Sequence, residues 1–379
     1  MSRNTLRRLA GRGQTRRSGR SAAAIGFLAV SALLMTACGG DAAGTASSSE
    51  LAQLRGVNGD PTNGPSGAPM GSIQIAEGWD KKAGYSLDWD VAQSATAGLQ
   101  LLANGSVQIA QGAAPNGYAA AHLDPKMRVI GFLNGPNYLV TVPENSDIRS
   151  GKDLKGKTIG VMTLGSSSHL MVQGVVKAAG LSPTDVKYLP VAIGAPMAQA
   201  LNSGKIDALV GWEGMWQSIS ALTKVPLKRL DTALNDVYGQ MVIMTTTDVI
   251  EERRADLVAY MGNFYKSCAL AANDPERAVN DHWKVFPNVL PPADKKDEML
   301  KNLASWNKDF YGTCILPSPD TGKVGSLSDE EVETTYKFFL DNGIVEDPVD
   351  VKTVVDTSIT DDALKDVDLD QFVAQLGKS

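Results

Sequence analysis

Residues 157–180 read KTIGVMTLGSSSHLMVQGVVKAAG, and this stretch decides the fold. The pattern predicts a short apolar strand over Thr158–Met162, a Gly/Ser turn over Thr163–Ser168, and a helix of small and apolar residues that ends at Gly180. Serines at a helix start cap the first turn, and the free backbone N–H groups there favour an anionic or polar guest. Many α/β proteins contain such a unit without a ligand, so the stretch predicts an α/β unit and, as a hypothesis, one wall of a ligand site.

The first 37 residues have the pattern of an export signal. Seven arginines are followed by an uncharged run over residues 21–37, and no acidic residue occurs before Asp41. The run ends in Leu34-Met35-Thr36-Ala37-Cys38, which resembles a bacterial lipobox with Met35 where leucine is usual. We therefore predict a signal peptide over residues 1–37, a lipid on Cys38 and a flexible tether over residues 38–50. An ordinary signal peptide or an uncleaved anchor is the alternative, and the export route stays open between the general secretory and twin-arginine pathways.

The charge of the exported part limits its partners. Removing residues 1–37 takes away seven positive charges and no negative ones, so the net charge of −6 becomes −13. An acidic domain has no overall field for nucleic acid, and any anion must bind through local donors. About 340 remaining residues exceed what one core usually organises, so we expect two lobes. Beyond the export signal no run of 18 or more apolar residues occurs, which excludes a channel or permease.

Two cysteines remain once Cys38 is assigned to lipid. Because an exported protein sits in an oxidising setting, we predict a disulfide between Cys268 and Cys314, with two buried free thiols as the alternative. Neither cysteine has neighbours at the spacing of a zinc site, so we predict no metal.

Short strands and helices alternate after the tether. Strands are predicted at Leu51–Val57, Ser86–Val91 and Ser106–Gln111, and helices at Met70–Lys82 and Gly98–Ala103. Residues 102–110 (LANGSVQIA) and 201–209 (LNSGKIDAL) repeat one pattern: a helix end, a glycine and an apolar strand. The alternation predicts an α/β fold with a largely parallel sheet, and the repeat favours two similar lobes.

Two apolar strands, Tyr138–Val142 and Tyr238–Thr246, are predicted to cross between the lobes. The first lobe would then comprise residues 51–142 plus 238–379, and the second residues 143–237. After Asp248 the pattern is mostly helical. We interpret the aromatic residues of this segment as core rather than site: Trp283, Trp306, Phe310, Tyr336, Phe338 and Phe339.

The motifs of nucleotide binding and hydrolysis are incomplete. Residues 151–158 (GKDLKGKT) match the letters of a P-loop, but a polar turn precedes them and a strand follows, whereas a P-loop opens a helix. The three histidines belong to no GxSxG or HExxH motif. His169 follows Ser168 directly, and neighbouring helical residues point in different directions. We therefore predict no catalytic pair and no cofactor.

Trp212 and Glu213 directly follow the predicted strand of residues 206–209. The carboxyl ends of strands are where α/β sheets place a ligand crevice, so Trp212 is a candidate apolar wall with an N–H donor and Glu213 a candidate acceptor. Coverage of the core by Trp212 with a solvated Glu213 is the alternative.

Four runs together resemble the nitrate/sulfonate/taurine-type substrate-binding proteins of ABC importers, a grouping that includes a branch similar to thiamine-pyrimidine-precursor binders. These runs are residues 150–160 (SGKDLKGKTIG), the turn at 165–168, residues 179–186 (AGLSPTDV), and residues 200–208 (ALNSGKIDA) followed by Trp212. The resemblance covers roughly residues 51–250 and implies a type II periplasmic-binding-protein fold, with two α/β lobes that close on a ligand.

The resemblance also implies the ligand-binding residues. They are Asn58, Asp60, Ser94, Thr96, Ala114, Asn137, Ser166, Ser167, Ser168, Trp212 and Glu213. Two departures from the family matter. Residues 58–69 are unusually rich in Gly and Pro, and a carboxylate at Glu213 would repel a sulfonate unless it bound an amine or hydroxyl of the ligand.

The expected protein is a non-enzymatic solute-binding lipoprotein on the outer face of the cell membrane, which delivers its solute to the permease subunits of an ABC importer. The first candidate ligand is a small organic anion such as an aliphatic sulfonate, taurine or nitrate. A neutral or cationic heterocycle, such as a thiamine pyrimidine precursor, is the second. A lipid-anchored enzyme on the same fold is the alternative from another class. We expect a monomer with no nucleic-acid partner.

Overall fold

The computed structural model describes residues 51–376, which belong to one compact unit. The predictions for the signal peptide, for lipid on Cys38 and for the tether concern residues outside this part of the chain. None of the helices within residues 51–376 is both long and apolar enough to span a membrane.

The described residues form ten strands. They are β1 (Ala52–Asn58), β2 (Tyr85–Val91), β3 (Ile109–Ala113), β4 (Met127–Leu133), β5 (Leu139–Pro143), β6 (Thr158–Val161), β7 (Lys187–Pro190), β8 (Ala208–Gly211), β9 (Leu227–Arg229) and β10 (Met241–Thr246).

The α-helices of the same part of the chain surround the strands and fill the carboxyl-terminal third. They are α1 (Ser72–Ala76), α2 (Trp79–Lys82), α3 (Ala95–Ala103), α4 (Ala114–Leu123), α5 (Ser167–Ala178), α6 (Ala195–Asn202), α7 (Glu213–Thr223), α8 (Thr247–Asn273), α9 (Pro275–Val285), α10 (Lys296–Cys314), α11 (Asp329–Asp341), α12 (Val351–Val354), α13 (Ser358–Leu364) and α14 (Leu369–Leu376).

The strands form two sheets of five that share one plan. The first has the order β2-β1-β3-β10-β4 and the second the order β7-β6-β8-β5-β9. The central strand, β3 or β8, runs parallel to one neighbour, β1 or β6, and antiparallel to the other, β10 or β5. Both sheets are therefore mixed, because β10 in the first and β5 in the second run antiparallel to their neighbours, whereas the sequence predicted a largely parallel sheet.

The repeated sequence pattern occupies equivalent places in the two sheets. Helix α3 ends before Gly105 and helix α6 before Gly204, and both glycines adopt left-handed conformations, with φ of 74° and 68°. The chain then enters the two central strands, β3 and β8, which are buried along their whole length. The repeated sequence therefore occupies the same place in each sheet, and the two sheets have the same strand arrangement, as expected for two similar lobes.

The chain crosses between the sheets just before β5 and β10. The predicted boundary after residue 142 falls inside β5, which pairs with β8 and β9 of the second sheet. The Tyr138 N–H donates to Gln240 Oε1 at 2.6 Å, and the Gly239 N–H donates to the Asn134 carbonyl at 2.9 Å. These bonds join the two crossing segments side by side. The residue boundaries of the lobes stay a prediction.

The predicted helix over Met70–Lys82 is broken into shorter pieces. A 3₁₀ turn over Pro65–Met70 precedes α1, and Gly78, with φ of 64°, separates α1 from α2. A left-handed residue cannot continue a helix, and glycine adopts that conformation at little cost.

Helices α8 and α10 pack together beneath the first sheet and are joined by a disulfide between Cys268 and Cys314, whose Cα atoms lie 5.9 Å apart. Buried Tyr260, Phe264 and Tyr311 belong to the same hydrophobic core as Ile109 of β3. The carboxyl-terminal helices therefore complete the core of the first sheet.

Candidate functional site

A cavity of about 290 Å³ lies at the carboxyl ends of parallel strands from both sheets. Its wall includes residues 58–61 after β1, residues 93–96 after β2, residues 162–167 after β6, and Trp212 after β8. Ligands of α/β proteins bind at this edge because the loops that leave parallel strands converge there. Its volume is at the low end of the roughly 300–1,000 Å³ typical of ligand pockets, which suits a small molecule.

Seven of the residues predicted from sequence lie on the cavity wall. They are Asn58, Asp60, Ser94, Thr96, Ser166, Ser167 and Trp212. The first four follow strands of the first sheet and the other three follow strands of the second. Both sheets therefore contribute polar side chains to one space.

Ala114 and Asn137 are not on the wall. Ala114 is the first residue of α4, is fully buried, and donates its N–H to the Gln240 carbonyl; its neighbours Gly112 and Ala113 take the place on the wall. Asn137 is also buried, and its Nδ2 donates to Thr313 Oγ1 of α10 at 2.7 Å.

Ser168 and Glu213 are likewise turned away from the cavity. Ser168 is fully buried, and its Oγ accepts the Met162 N–H at 3.3 Å. Glu213 accepts hydrogen bonds from Trp216 Nε1 and Gln217 Nε2 of its own helix, at 3.1 and 3.0 Å. The predicted repulsion between Glu213 and a ligand anion therefore has no basis in this arrangement.

Other wall residues were not identified from sequence. The polar ones include Ser66, Gln93, Gln111, Asn116, Tyr138 and Thr163, and the apolar ones include Met70, Met162, Leu164, Met241 and Phe310. Phe310 corrects the interpretation of the carboxyl-terminal aromatics, because it belongs to the core and also reaches the cavity. One usable signal was present: Gln111 is the lone amide in the apolar strand β3, IAQGA.

A chain of hydrogen bonds joins the two sides of the cavity. Asn116 of α4 donates from Nδ2 to Thr96 Oγ1 at 3.2 Å, and its Oδ1 accepts from Ser167 Oγ of α5 at 2.8 Å. The Asn116 amide thereby connects α3, which follows a strand of the first sheet, with α5, which follows a strand of the second. Asn116 is therefore the bridge between Thr96 and Ser167, two of the residues predicted to bind a ligand.

Among the described wall residues, Asp60 is the one with an acidic side chain. Both hydrogen bonds that it accepts go to Oδ1, from the Thr62 N–H at 2.9 Å and from Thr62 Oγ1 at 2.8 Å. Burial raises the pKa of Asp60 above its ordinary value, and the Thr62 bonds oppose that shift. Burial also raises the pKa of nearby Tyr138 to about 12, while a hydrogen bond with Ser167 lowers it and the Asp60 charge raises it.

Among the residues that the structure describes, no Lys, Arg or His lies on the cavity wall. The chain has three histidines, and each of them lies away from the cavity wall. His122 lies 3.9 Å from Asp347, His169 Nδ1 accepts the Gly165 N–H at 2.9 Å, and His282 is buried. No group of three or more His, Cys, Asp or Glu in residues 51–376 is arranged to hold a metal ion.

Two amide side chains on the wall are free to bind a guest. The structure gives Asn58 no side-chain hydrogen bond within the described residues, although only 8% of its surface is exposed. Gln111 is 2% exposed, and its Nε2 has no hydrogen-bond partner there. Buried polar groups are normally hydrogen-bonded, so a ligand is the natural partner for these two amides.

The loop that carries Asn58 and Asp60 is fixed from behind by the carboxyl-terminal helices; we call residues 58–70 the site loop. Tyr260 donates to the Met70 carbonyl at 2.8 Å, and Tyr311 donates to the Pro65 carbonyl at 2.6 Å. His282 Nε2 lies 2.9 Å from the Asn63 carbonyl, which it contacts as the donor of a neutral ring. Three buried side chains from α8, α9 and α10 thus set the shape of one cavity wall.

The turn after β6 is closed by its own side chains. Ser166 Oγ accepts the N–H groups of Thr163 and His169, and Ser168 Oγ accepts the Met162 N–H. The P-loop-like residues 151–158 lie before this strand, form a 3₁₀ turn over Gly151–Leu154, and lead into β6 rather than into a helix. They therefore have no part in the cavity.

Solved structures of similar architecture confirm the fold. The aliphatic sulphonate binding protein SsuA of Escherichia coli is 19% identical with a TM-score of 0.59, over 80% of this chain and 91% of that one. SsuA of Xanthomonas axonopodis pv. citri, bound to MOPS, is 18% identical with a TM-score of 0.57, over 81% of this chain and 99% of that one. A cysteine-to-serine mutant of the desulfurization enzyme DszB, in complex with biphenyl-2-sulfinic acid, is 16% identical with a TM-score of 0.53, over 83% of this chain and 99% of that one.

These structural similarities show that the chain has the type II periplasmic-binding-protein fold. No curated protein sequence matches the chain. Residues 73–278 match the family described as NMT1/THI5 like, and this segment is more than half of the 379 residues. Together with the two-sheet architecture, the match shows that the chain belongs to the NMT1/THI5-like family.

Proposed function

We propose that this protein is an extracytoplasmic solute-binding lipoprotein of an ABC importer, which captures a small polar organic solute in the cavity and delivers it to the permease. The observation that carries the proposal is the cavity itself. It lies at converging strand ends, has both polar and apolar walls, and is spanned by the Asn116 bonds to Thr96 and Ser167. Binding energy that draws two such walls together would stabilise a closed form for the permease to recognise.

The membrane part of the proposal rests on the amino-terminal sequence. Lipid on Cys38, after removal of residues 1–37, would keep the binding unit at the outer face of the membrane, on the tether of residues 38–50. Mass spectrometry of the protein from its own membrane tests this step. A mature chain that begins at acylated Cys38 is expected, and a chain that retains Arg3–Arg20 would contradict it.

A binding role also fits the chemistry of the wall better than catalysis does. DszB shows that an enzyme can use this fold, so the fold alone does not separate the two functions. A hydrolase needs a nucleophile with an adjacent base, or a metal. The described wall offers the hydroxyls of Ser66, Ser94, Ser166 and Ser167, but no cysteine as a nucleophile and no histidine or lysine as a base.

Two ligand classes follow from the wall. The starts of α3 and α5, at Ser94 and Ser166, lie at the cavity, as a sulfonate, taurine or nitrate-like anion would require. Asp60 and Trp212 favour instead a neutral or cationic heterocycle, such as a pyrimidine, which could use a carboxylate acceptor and an aromatic face.

Thermal unfolding of the full chain in mild detergent tests the proposal. The probe panel is alkylsulfonates, taurine, nitrate, and pyrimidine and purine derivatives. A ligand at about 100 times its dissociation constant should stabilise the protein by about 2.7 kcal/mol and should be recovered unchanged. The Trp212→Ala variant should lose the effect, and a variant of exposed Leu123 outside the cavity, Leu123→Ala, should keep it. Turnover of a probe, or no stabilisation by any of them, would contradict the proposal.

A further inference from the structure

We infer, on the basis of the proposed function, that the solute carries a positively charged nitrogen group and that Asp60 is the residue that binds this group. Asp60 is thus a specificity-determining residue of the cavity. The inference narrows the solute to an organic amine, an amidine or a zwitterion, and it excludes a solute whose only charge is negative.

The negative charge of Asp60 has no cationic partner on the described part of the cavity wall. Thr62 supplies two donors to Oδ1 of Asp60, and within residues 51–376 no protein donor is bonded to Oδ2. No cationic side chain of that part of the chain lies on the wall either. Asp60 is half-buried, and desolvation of a carboxylate costs free energy unless its charge is paired, so a ligand cation that binds Oδ2 would supply a partner.

The neighbours of Asp60 suit a solute that also has neutral polar groups. The free amides of Asn58 and Gln111 can donate to a carbonyl or hydroxyl oxygen. Tyr138, Trp212 and Phe310 present aromatic side chains to the same cavity. A cationic group bound at Asp60 would gain further stabilisation wherever it contacts one of these ring faces.

The start of α5 is less open to an anion than its sequence suggests. Five backbone N–H groups of residues 162–169 already have protein acceptors: those of Met162, Thr163, Gly165, Ser166 and His169. A sulfonate bound there would be limited to the remaining N–H groups, those of Leu164, Ser167 and Ser168, or would have to displace these bonds, while it approached the Asp60 charge. The hydroxyls of Ser166 and Ser168 accept three of these five N–H groups, so the serines themselves reduce the number of donors that the turn can offer to an anion.

Two matched pairs of probes separate charge from size. Taurine differs from ethanesulfonate by its ammonium group, and benzamidine differs from benzamide by its charge. Isothermal titration calorimetry with the full chain in mild detergent, at about pH 7, gives the affinity ratio of each pair. Because charge-assisted hydrogen bonds are the strong ones, we expect the charged-nitrogen member to bind about tenfold more tightly or better.

Two variants assign the preference to Asp60. In Asp60→Asn, which keeps an acceptor for Thr62, both ratios should fall to about one. Asp88→Asn, which removes an exposed carboxylate of β2 outside the cavity, should leave both ratios unchanged. If Asp60→Asn fails to fold, the pH dependence of the wild-type ratios replaces it.

The pH test has a simple expectation. Because burial raises the pKa of Asp60, its carboxylate takes up a proton at a higher pH than an ordinary aspartate does, so both ratios should shrink as the pH is lowered from about 7 towards 4. Tyr138, the other ionisable wall residue of the described chain, titrates near 12 and stays neutral throughout.

The outcomes distinguish the inference from the proposed function. Tighter binding of ethanesulfonate than of taurine, ratios that survive Asp60→Asn, or binding only of panel members that lack a positively charged nitrogen would each overturn the inference alone. Failure of the whole panel to bind would overturn the proposed function as well.

Discussion

Ser167 and Asn116 meet across the cavity: the hydroxyl of the first donates to Oδ1 of the second at 2.8 Å. Ser167 belongs to α5, which packs against β8 of the second sheet, and Asn116 belongs to α4, which packs against β4 and β10 of the first. This bond therefore joins the two halves of the binding unit at the place where a solute would lie.

We predict that Ser167→Ala weakens solute binding by about threefold to tenfold, the effect of about one neutral hydrogen bond. The loss should come from a less stable closed form. Calorimetric titration with the best-binding probe measures it, and Ser203→Ala, at an exposed serine outside the cavity, is the control. In a double-mutant cycle, Asn116→Ala and Ser167→Ala should be non-additive because they remove the same bond. Additive losses would show that the bond does not contribute to closure.

The neighbouring serine should behave differently. Ser168 is fully buried, and removal of its hydroxyl leaves the partly buried Met162 N–H without its acceptor. We predict that Ser168→Ala lowers the free energy of unfolding by about 1–3 kcal/mol, while probe affinity changes less than it does in Ser167→Ala. Urea unfolding and calorimetry on the two single variants test this. A larger loss of affinity in Ser168→Ala would place its hydroxyl in the binding site.

The adjacent residues Asp281 and His282 should give opposite pH effects on stability. Burial raises the pKa of Asp281 to about 6, a change that the nearby Glu77 carboxylate increases and Lys284 opposes. Burial lowers the pKa of His282 to about 4, and the bond to the Asn63 carbonyl opposes that change. The unfolded values are about 3.9 and 6.5. Between about pH 4 and 6 the native and unfolded pairs therefore each hold one proton, so their combined effect on stability is flat.

Single variants should reveal the two opposed slopes. In His282→Gln the raised Asp281 pKa remains, so stability should rise as pH falls from about 6 to 4. In Asp281→Asn the lowered His282 pKa remains, so stability should fall as pH drops from about 6.5 to 4. Each change amounts to about 3 kcal/mol, since one pKa unit is about 1.4 kcal/mol. Urea unfolding across this pH range measures the slopes, and parallel curves for both variants and the wild type would contradict the prediction.

The disulfide between Cys268 and Cys314 should contribute measurably to stability. It closes a loop with a sequence separation of 46 residues. The chain-entropy estimate for such a loop is about 4 kcal/mol, and measured values for disulfides are commonly about 2–4 kcal/mol. We expect the Cys268→Ser/Cys314→Ser variant to melt at a lower temperature, and a reducing agent to produce the same change in the wild type but none in the variant. Equal melting temperatures of the oxidised wild type and the double variant would contradict this prediction.

The sequence predicted the parts of the cavity that depend on chain order. Asn58 ends β1, and Ser94, Ser166 and Trp212 lie in the segments that follow β2, β6 and β8. Loops after parallel strands meet at one edge whatever the details of packing. Side-chain direction does not follow from chain order. Glu213 lies beside Trp212 in sequence, yet it bonds back to its own helix.

The residues that sequence reasoning missed look like core residues. Phe310 has the spacing of an apolar helix face, and it does pack in the core while it also reaches the cavity. Met241 stands at the start of the apolar strand β10. The packing of α10 against both sheets determines which core residues also border the cavity. No local sequence pattern encodes that arrangement.

The site loop and two of the three side chains that support it lie outside the segment that identifies the family. The family match begins at residue 73 and ends at residue 278, so the site loop, His282 and Tyr311 all lie outside it. A specificity transplant between relatives that exchanged only the matched segment would leave Asn58 and Asp60 on the recipient's backbone. Successful grafting should require the exchange of the site loop together with α9 and α10, as one cassette assembled from the two ends of the binding unit.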